Sequence, residues 1–331
     1  MLRPSNFRVL SFTAIVVATL LAACSKTAEA PPPPAAAAPA PAPAAEPAPV
    51  PKPENTRAFK IGEFSAFALR DGVLEFPNDN KVFGVGHTPE EVAALLSAAG
   101  LPTDKLQLGL EPLLVKTGDR VMLFDTGAGT NFGPSAGKLA VSFAESGVDQ
   151  QTVTDIFISH VHGDHVGGLL NPVGELVFPN ARIHLSKPEW AFLSGLTDEQ
   201  AKSIGLDGHT ALVAAIKSKV EAFAPGAELV PGVVKAVEIK GHTPGHSGYK
   251  ITSGPESLLY IGDTMHHSII SVQKPDWPMN FDANQATGAK SRAAVLSQSV
   301  ADGQRIYAVH FPFPGLGKFE KRGDGAVWVA E

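Results

Sequence analysis

Three histidines and one aspartate lie within six consecutive positions of this chain, directly after the apolar run of residues 156–158. They are His160, His162, Asp164 and His165. Imidazole nitrogens and carboxylate oxygens bind zinc and related divalent ions, and four of them on one tight turn can face two metal ions from the same side. The only cysteine is Cys24, so such ions must be held by nitrogen and oxygen ligands. The sequence therefore indicates a metal centre suited to hydrolytic chemistry.

Four further polar motifs each follow a predicted strand. They begin at Asp125, Gly241, Gly262 and His310. The second motif contributes His242 and His246, and the third contributes Asp263. Because strand ends that meet on one rim are a rigid scaffold for a site, we expect these side chains to lie close to the histidine cluster.

The remaining pattern predicts the elements that must position these groups. Residues 60–76 predict a hairpin with its turn at residues 70–72, and residues 210–223 predict a helix. A further helix is expected after Thr88, which can act as its N-cap, with Glu91 completing a capping box. Two strand-rich halves, each with helices, predict two sheets packed face to face with helices outside.

Together these residues resemble the metallo-β-lactamase superfamily. The resemblance implies an α+β fold, a four-layer αββα sandwich in which two mixed sheets pack face to face with helices outside. It also implies two divalent metal ions per chain, with zinc as the default and cobalt, manganese or iron as alternatives. By this resemblance the first ion is held by His160, His162 and His242, the second by Asp164, His165 and His310, and Asp263 bridges the two.

The resemblance further implies a hydrolase in which a hydroxide shared by the two ions attacks an ester-type substrate. Asp164 would orient this hydroxide. His246 is expected to support the ligands without binding metal, and Asp125 is expected to fix the loops beneath the site. The bridging Asp263 argues against a true β-lactamase.

The sequence around the ligands is similar to the subgroup of methyl parathion hydrolase and the lactonases. In that subgroup aromatic side chains surround the leaving group, which points to Phe132, Trp190 and Phe192 as pocket residues. Lactonases often carry a tyrosine three residues after the bridging aspartate, where this chain has His266. We therefore expect His266 to be catalytic, with His267 as an alternative for facing the substrate.

Three functions follow. The leading one is hydrolysis of a phosphotriester, lactone or aryl ester, with a small-molecule ester as the substrate. The alternatives are an N-acyl-homoserine lactonase and a non-catalytic, metal-binding envelope lipoprotein. A net charge of −6 provides no basic footprint for nucleic acid, and relatives in the subgroup often form homodimers.

The N-terminus predicts a targeting segment. Residues 1–23 combine two arginines with a short apolar run and end directly before Cys24. The sequence of residues 21–24 resembles the lipobox of bacterial lipoproteins. Residues 24–56 then form a lipidated cysteine and a Pro/Ala-rich linker, which cannot build a packed core. The hydrolase domain is expected at residues 57–331. This organisation implies a periplasmic protein held by its lipid, with Ser25 favouring the outer membrane of a Gram-negative cell.

Overall fold

The computed structural model describes residues 54–331. The predicted signal peptide, the predicted lipidation site Cys24 and nearly all of the predicted linker lie outside these residues. The first strand begins at Thr56, and Asn55 donates hydrogen bonds to Glu145, so the fold begins slightly before the predicted boundary at residue 57. Within the described part of the chain, every helix is too short or too polar to span a bilayer.

The regular elements alternate along the described chain. In chain order the strands are β1 (Thr56–Ile61), β2 (Phe64–Leu69), β3 (Gly72–Pro77), β4 (Lys105–Leu110), β5 (Leu113–Thr117), β6 (Arg120–Phe124), β7 (Asp155–Phe157), β8 (Arg182–Ser186), β9 (Val220–Phe223), β10 (Glu228–Val230), β11 (Val234–Glu238), β12 (Ser247–Ser253), β13 (Glu256–Tyr260), β14 (Arg305–Tyr307), β15 (Leu316–Arg322) and β16 (Gly325–Ala330). The helices are α1 (Pro89–Ala98), α2 (Leu139–Ser146), α3 (Gly163–Val166), α4 (Lys187–Gly195), α5 (Asp198–Ser203), α6 (His209–Ile216), α7 (Ile270–Gln273) and α8 (Gln285–Asp302).

Two seven-stranded mixed sheets form the centre of the fold. The N-terminal sheet has the order β1-β2-β5-β6-β7-β8-β9, and the C-terminal sheet runs from β10 to β16 in sequence order. Strands β6 to β9 are parallel, as are β13 and β14, and the remaining pairs in the two sheets are antiparallel. Strands β3 and β4 form a separate two-stranded sheet.

Side chains on both faces of the central strands are buried, which produces the four layers. On β6, Met122 and Phe124 join the apolar cluster between the two sheets, whereas Val121 and Leu123 pack toward the helices. This alternation follows from the two-residue period of a strand, and burial on both faces explains the near-continuous apolar runs. Helices α2, α4, α5 and α6 contribute to the outer cluster of the N-terminal sheet, while α7 and α8 contribute to that of the C-terminal sheet. The predicted αββα sandwich is confirmed.

The predicted hairpin over residues 60–76 is wrong. Strand β1 turns into β2 at Gly62 and Glu63, whereas residues 70–71 lead out of the N-terminal sheet into β3, which pairs with β4. Asp71 is buried, and its carboxylate is satisfied there because it accepts hydrogen bonds from the backbone N–H groups of Ala128, Gly137 and Leu139. The residues that resemble a turn therefore fasten a distant loop.

The predicted helix over residues 210–223 is too long. Helix α6 ends at Ile216, and residues 220–223 form β9, which pairs in parallel with β8. A short apolar segment can continue a helix or add an edge strand. Here residues 220–223 form a strand because they pair with the free edge of β8. The helix predicted after Thr88 is confirmed, including its capping box with Glu91.

Candidate metal centre

The ligand-type side chains lie at one edge of the sandwich, where several strands end. Strand β7 ends at Phe157, and the chain then passes through the short helix α3, which presents Asp164 and His165. Asp263 follows β13 and His310 follows β14, its parallel neighbour. His242 lies in the connection between β11 and β12. The convergence that the strand-end pattern predicts is present in the structure.

The first group of ligand atoms surrounds one oxygen of Asp263. His242 Nε2 lies 3.1 Å from His160 Nε2 and 3.0 Å from His162 Nδ1. Asp263 Oδ2 lies 3.4 Å from His160 Nε2 and 3.2 Å from His242 Nε2. One ligand atom from each of these four residues lies within 4.8 Å of all the others, a spacing that allows them to share one metal ion.

The second group surrounds the other oxygen of Asp263. Asp263 Oδ1 lies 3.2 Å from His165 Nε2 and 3.0 Å from His310 Nε2. Asp164 Oδ2 completes the group, 3.5 Å from His165 Nε2 and 3.7 Å from His310 Nε2. The two carboxylate oxygens of Asp263 therefore face two different sets of ligands.

The donor atoms of both groups fit divalent cations. His165 Nε2 and Asp263 Oδ1 are buried without a hydrogen-bond partner, an arrangement that is costly unless another group binds them. His242 Nε2 lies within hydrogen-bond distance of both His160 Nε2 and His162 Nδ1, but one ring nitrogen has a single proton or a single lone pair and cannot satisfy both contacts. Imidazole and carboxylate donors at this spacing are typical of zinc and related ions.

Electrostatics favour a bound cation at this position. Burial lowers the pKa of His160 and His162 well below the usual range, so both rings are neutral and can donate a lone pair. Burial also opposes charge on Asp263, but the surrounding histidines outweigh it and hold the pKa of this carboxyl well below its usual range. For His242, burial lowers the pKa, but Asp263 and then Asp282 raise it to about 9. Metal binding at His242 would therefore compete with binding of a proton.

A second layer of buried groups holds the ligand rings in place. Asp125 accepts from the Ser159 backbone N–H, the Ser159 hydroxyl and the Tyr260 hydroxyl, and its Oδ2 lies 2.7 Å from His165 Nδ1. His246 Nε2 accepts a hydrogen bond from the Asp263 backbone N–H, and its Nδ1 lies 3.1 Å from the Ile239 carbonyl. These contacts agree with the supporting roles expected for Asp125 and His246.

Two supporting carboxylates had no recognisable motif in the sequence. Glu189 of α4 accepts from the backbone N–H groups of Val161 and Gly245 and from the Thr243 hydroxyl, so it joins the loops that carry the first group of ligands. Asp282 Oδ1 lies 3.1 Å from His242 Nδ1. The spacing between these carboxylates and the histidines in the sequence is long, and no local pattern could have indicated the contacts.

A cavity of about 400 Å³ opens above Asp164 and Asp263. Its apolar wall includes the predicted residue Phe132 together with Phe76 and Phe281, which the sequence did not indicate. The structure does not bring Trp190 and Phe192 to this cavity. Both belong to α4 and pack on the outer apolar cluster of the N-terminal sheet.

The two neighbouring histidines after Asp263 face different surroundings. His266 lines the cavity, and its Nε2 lies 2.9 Å from Asp263 Oδ2. Its Nδ1 is buried without a partner. One ligand-type atom of His266 lies within 4.8 Å of such atoms of Asp263 and His310, a spacing that would also allow these three residues to share an ion. His267 instead accepts from the backbone N–H groups of Ile269 and Ile270 at the start of α7. Of these two residues, His266 lines the cavity and His267 does not.

The histidines without a motif lie away from the centre. His184 is buried and contacts Asp155, and His209 contacts the Leu193 carbonyl. His87 stacks on the Trp277 ring at 4.0 Å. All three contacts lie outside the cavity that Asp164 and Asp263 line.

Comparison with known proteins places this arrangement among hydrolases. A family model described as the metallo-beta-lactamase superfamily matches residues 113–297, more than half of the chain. The structure of AidC, a dizinc quorum-quenching lactonase in complex with the product N-hexnoyl-L-homoserine, is 29% identical with a TM-score of 0.78, covering 84% of this chain and 97% of AidC. The hydrolase AbOPH of the beta lactamase superfamily is 25% identical with a TM-score of 0.75, at the same coverage of 84% and 97%.

Among curated sequences, the uncharacterised protein YobT of Bacillus subtilis (strain 168) is 30% identical over 155 residues. That match includes 44% of this chain and 61% of YobT, so the chain spans less than two thirds of that relative.

Proposed function

Because this chain belongs to the metallo-β-lactamase superfamily, we propose that it is a dinuclear metallohydrolase that cleaves ester-type bonds in small molecules. The observation that carries this proposal is the position of Asp263. Its two oxygens each face a separate set of ligands, and the same carboxylate lies on the floor of an apolar cavity. A hydrolase needs an activated water and a substrate in one place, and a metal centre at Asp263 would bring the two together beside this cavity.

In this proposal His160, His162 and His242 bind one ion, and Asp164, His165 and His310 bind the other. Asp263 contributes one oxygen to each. When bound, two such ions would lower the pKa of a bound water molecule and polarise the substrate oxygen. Zinc suits these donors best, and cobalt, manganese or iron could bind the same set.

Two side chains are placed to orient the water and the substrate. Asp164 lines the cavity and its side chain is 12% exposed, so its carboxylate can orient the attacking water. His266 lines the cavity wall, with its Nε2 2.9 Å from Asp263 Oδ2. If Asp263 were bound to metal, this N–H would be available to donate a hydrogen bond to a substrate oxygen at the metal centre. Neither role requires a side-chain nucleophile.

The cavity wall favours substrates with an apolar group next to the ester. Phe76, Phe132 and Phe281 line one cavity with Leu74, Leu108 and Ile204, and the proposed ligands His162, Asp164, Asp263 and His310 line the same cavity. This combination suits a phosphotriester, a lactone with an acyl side chain or an aryl ester, because each has a compact polar centre joined to an apolar part.

A steady-state screen of the zinc-loaded protein tests the function. We expect about two zinc ions per chain and a kcat/KM of about 10⁴ M⁻¹s⁻¹ or higher for at least one class among phosphotriesters, acyl-homoserine lactones and aryl acetates. Two bound ions without turnover of any of these substrates would instead support the non-catalytic metal-binding alternative.

The second candidate is an N-acyl-homoserine lactonase. It is favoured by the likeness to AidC, which is described as a lactonase and is 29% identical over 97% of its length. The screen separates the candidates, because a dedicated lactonase would prefer homoserine lactones over aryl acetates by a factor of at least 10². Comparable kcat/KM values for both substrates would contradict a dedicated lactonase.

The bridging role of Asp263 is tested by its replacement. Asp263→Ala should lower both zinc content and turnover, because each ion loses a ligand. Asp302→Ala, at the exposed end of α8, is the control and should keep both. Unchanged zinc content in Asp263→Ala would mean that the bridging assignment is wrong.

The neighbouring histidines provide a matched pair for the catalytic role. His266→Phe should lower kcat by about 10²-fold with little change in zinc content, because it removes one hydrogen-bond donor from the cavity. His267→Phe should retain kcat, since His267 faces the start of α7. Equal kcat values in the two variants would remove His266 from the catalytic site.

We further propose that the protein is a periplasmic lipoprotein attached to the outer membrane through Cys24. Support comes from the lipobox-like sequence before Cys24 and from the Pro/Ala-rich segment after it, which would separate the folded domain from the membrane.

A further inference from the structure

Arg292 has one of the largest fully buried side chains in the described part of the chain, yet it does not line the substrate cavity. It lies on α8, and its guanidinium donates hydrogen bonds to four acceptors. These are the carbonyls of Pro275 at 3.0 Å, Trp277 at 3.2 Å and Thr264 at 3.3 Å, and Asp282 Oδ2 at 3.4 Å. A buried guanidinium is costly unless its donors are satisfied, so this position indicates a specific requirement for arginine.

All four acceptors belong to residues 264–282, which we call the wall segment. The wall segment begins directly after Asp263 and includes His266 and Phe281, both of which line the cavity. Arg292 contacts the first residue of the wall segment, its middle and its last residue. One side chain therefore fixes the path of the segment that forms part of the cavity.

The same contacts reach the metal ligands through Asp282. Its second oxygen, Oδ1, lies 3.1 Å from His242 Nδ1. The backbone N–H groups of Ala283 and Asn284 donate to the carbonyls of His242 and Gly241. In this arrangement His242 Nδ1–H donates to Asp282, and the opposite ring nitrogen, Nε2, is directed toward His160 and His162.

A glycine in α8 makes this close approach possible. A β-carbon on Gly288 would lie well inside van der Waals distance of the Asp282 carboxylate, and one on Gly241 would collide with the Gly288 backbone. Gly288 has no positive φ and lies within a helix, where alanine would be the better residue on propensity alone. The space that Gly288 leaves is filled by the carboxylate that contacts His242.

We propose that Arg292, Asp282 and Gly288 form a positioning cluster that fixes the His242 ring for metal binding and the wall segment for substrate binding. The effect on metal binding depends only on the ligand geometry, whereas the effect on substrate binding rests on the proposed function. None of the three residues touches the reacting atoms in this scheme. They act through His242, His266 and Phe281.

Zinc affinity of the full-length protein, measured by competition with a chelator, is the main test. Asp282→Ala should weaken zinc binding by about 10- to 100-fold, because it releases the His242 ring. Asp282→Asn keeps an oxygen for His242 Nδ1 and should recover most of this loss. Gly288→Ala should weaken zinc binding by about 10-fold although alanine favours the helix, because its methyl group displaces the Asp282 carboxylate. Gly195→Ala, at the end of α4 with open space around it, is the matched control.

Hydrogen exchange of the wall segment tests the arginine independently of zinc and of catalysis. Arg292→Met should speed amide exchange in residues 264–282 by at least 10-fold, with little change in β6 and β7. Arg292→Lys should give a smaller increase, since lysine cannot contact all four acceptors. Arg182→Lys, which alters an ion pair with Asp155 away from the cavity, should leave the wall segment unchanged.

The outcomes separate this proposal from the proposed function. Wild-type zinc affinity in Gly288→Ala and Asp282→Ala, or unchanged exchange of the wall segment in Arg292→Met, would overturn the positioning cluster. If Arg292→Met does not fold, the zinc affinities of Gly288→Ala and Asp282→Ala still decide the question. Weakened zinc binding together with faster exchange would support the cluster even if no ester substrate were turned over. If the ester is cleaved, Arg292→Lys should raise KM more than it lowers kcat.

Discussion

Glu189 provides a direct test of how the ligand loops are held. Its side chain is buried, and its two oxygens accept hydrogen bonds from the backbone N–H groups of Val161 and Gly245 and from the Thr243 hydroxyl, at 2.8–2.9 Å. Val161 lies between two proposed ligands, His160 and His162, and Thr243 follows a third. Replacing Glu189 with alanine should therefore loosen both loops at once.

The expected loss can be worked out from these contacts. Glu189→Ala leaves two buried backbone N–H groups without an acceptor, each costing about 1–3 kcal/mol, and relief from burying a carboxylate offsets part of this sum. We expect the free energy of unfolding to fall by about 3 kcal/mol. Glu189→Gln can keep the contacts with Thr243 and Gly245 but leaves the Val161 N–H facing an amide donor, so its loss should be about 1–2 kcal/mol.

Urea-induced unfolding followed by circular dichroism measures these values, provided that the slope m is the same for all variants. Glu221→Ala, on the edge strand β9 with a half-exposed side chain, is the control and should change stability by less than about 0.5 kcal/mol. Zinc affinity should fall in the same order as stability, with alanine below glutamine. A Glu189→Ala variant as stable as the wild type would refute the view that this carboxylate joins the two loops.

Three further results are expected. Burial would raise the pKa of Asp155, but His184, Thr154 and the Arg182 and Arg120 ion pairs outweigh it and hold that pKa below its usual range. The contribution of Asp155 to stability is therefore complete above about pH 4 and is lost as pH falls toward the folded pKa. Asp155→Asn should unfold at lower urea concentration at pH 7, and its free energy of unfolding should fall less steeply as the pH is lowered. A variant with the wild-type pH slope would contradict this. Chelation should abolish hydrolysis and added zinc or cobalt should restore it; full activity after complete metal removal would exclude the metal-dependent reaction. Cys24→Ala should release active protein into the soluble fraction, and membrane retention of that variant would contradict the lipid anchor.

The motifs that carry the family resemblance were sufficient to indicate the proposed ligands, and the geometry of four of them is local. His160, His162, Asp164 and His165 occupy one turn after β7, so their spacing alone brings them together. For Asp263 and His310 the useful signal was an apolar run that ends in a polar residue. Strands β13 and β14 are parallel neighbours, so their ends necessarily meet at the same edge.

The walls of the cavity could not be predicted in this way. Trp190 and Phe192 have the right chemistry, but α4 packs them on the outer face of the N-terminal sheet. Phe76 and Phe281 line the cavity instead, and about two hundred residues separate them in the chain. An aromatic residue is equally suited to a core or to a pocket wall, and only its long-range neighbours distinguish the two.

The same limit applies to the local elements and the supporting charges. Residues 70–72 have turn chemistry, yet Asp71 is used to bind three backbone N–H groups of the 128–139 loop. Glu189, Asp282 and Arg292 have ordinary sequence surroundings, and their importance comes from partners that folding brings to them.

From the sequence alone, the resemblance to the metallo-β-lactamase superfamily was sufficient to predict the family, the sandwich fold and the residues proposed to bind metal, because the motifs that carry this resemblance lie within short segments. Tertiary structure alone decided which aromatic residues face the substrate cavity, which of His266 and His267 lines it, and which buried charges orient the ligands. These features depend on contacts between segments far apart in the chain, and a buried charge or ring acquires its role only from the groups packed against it.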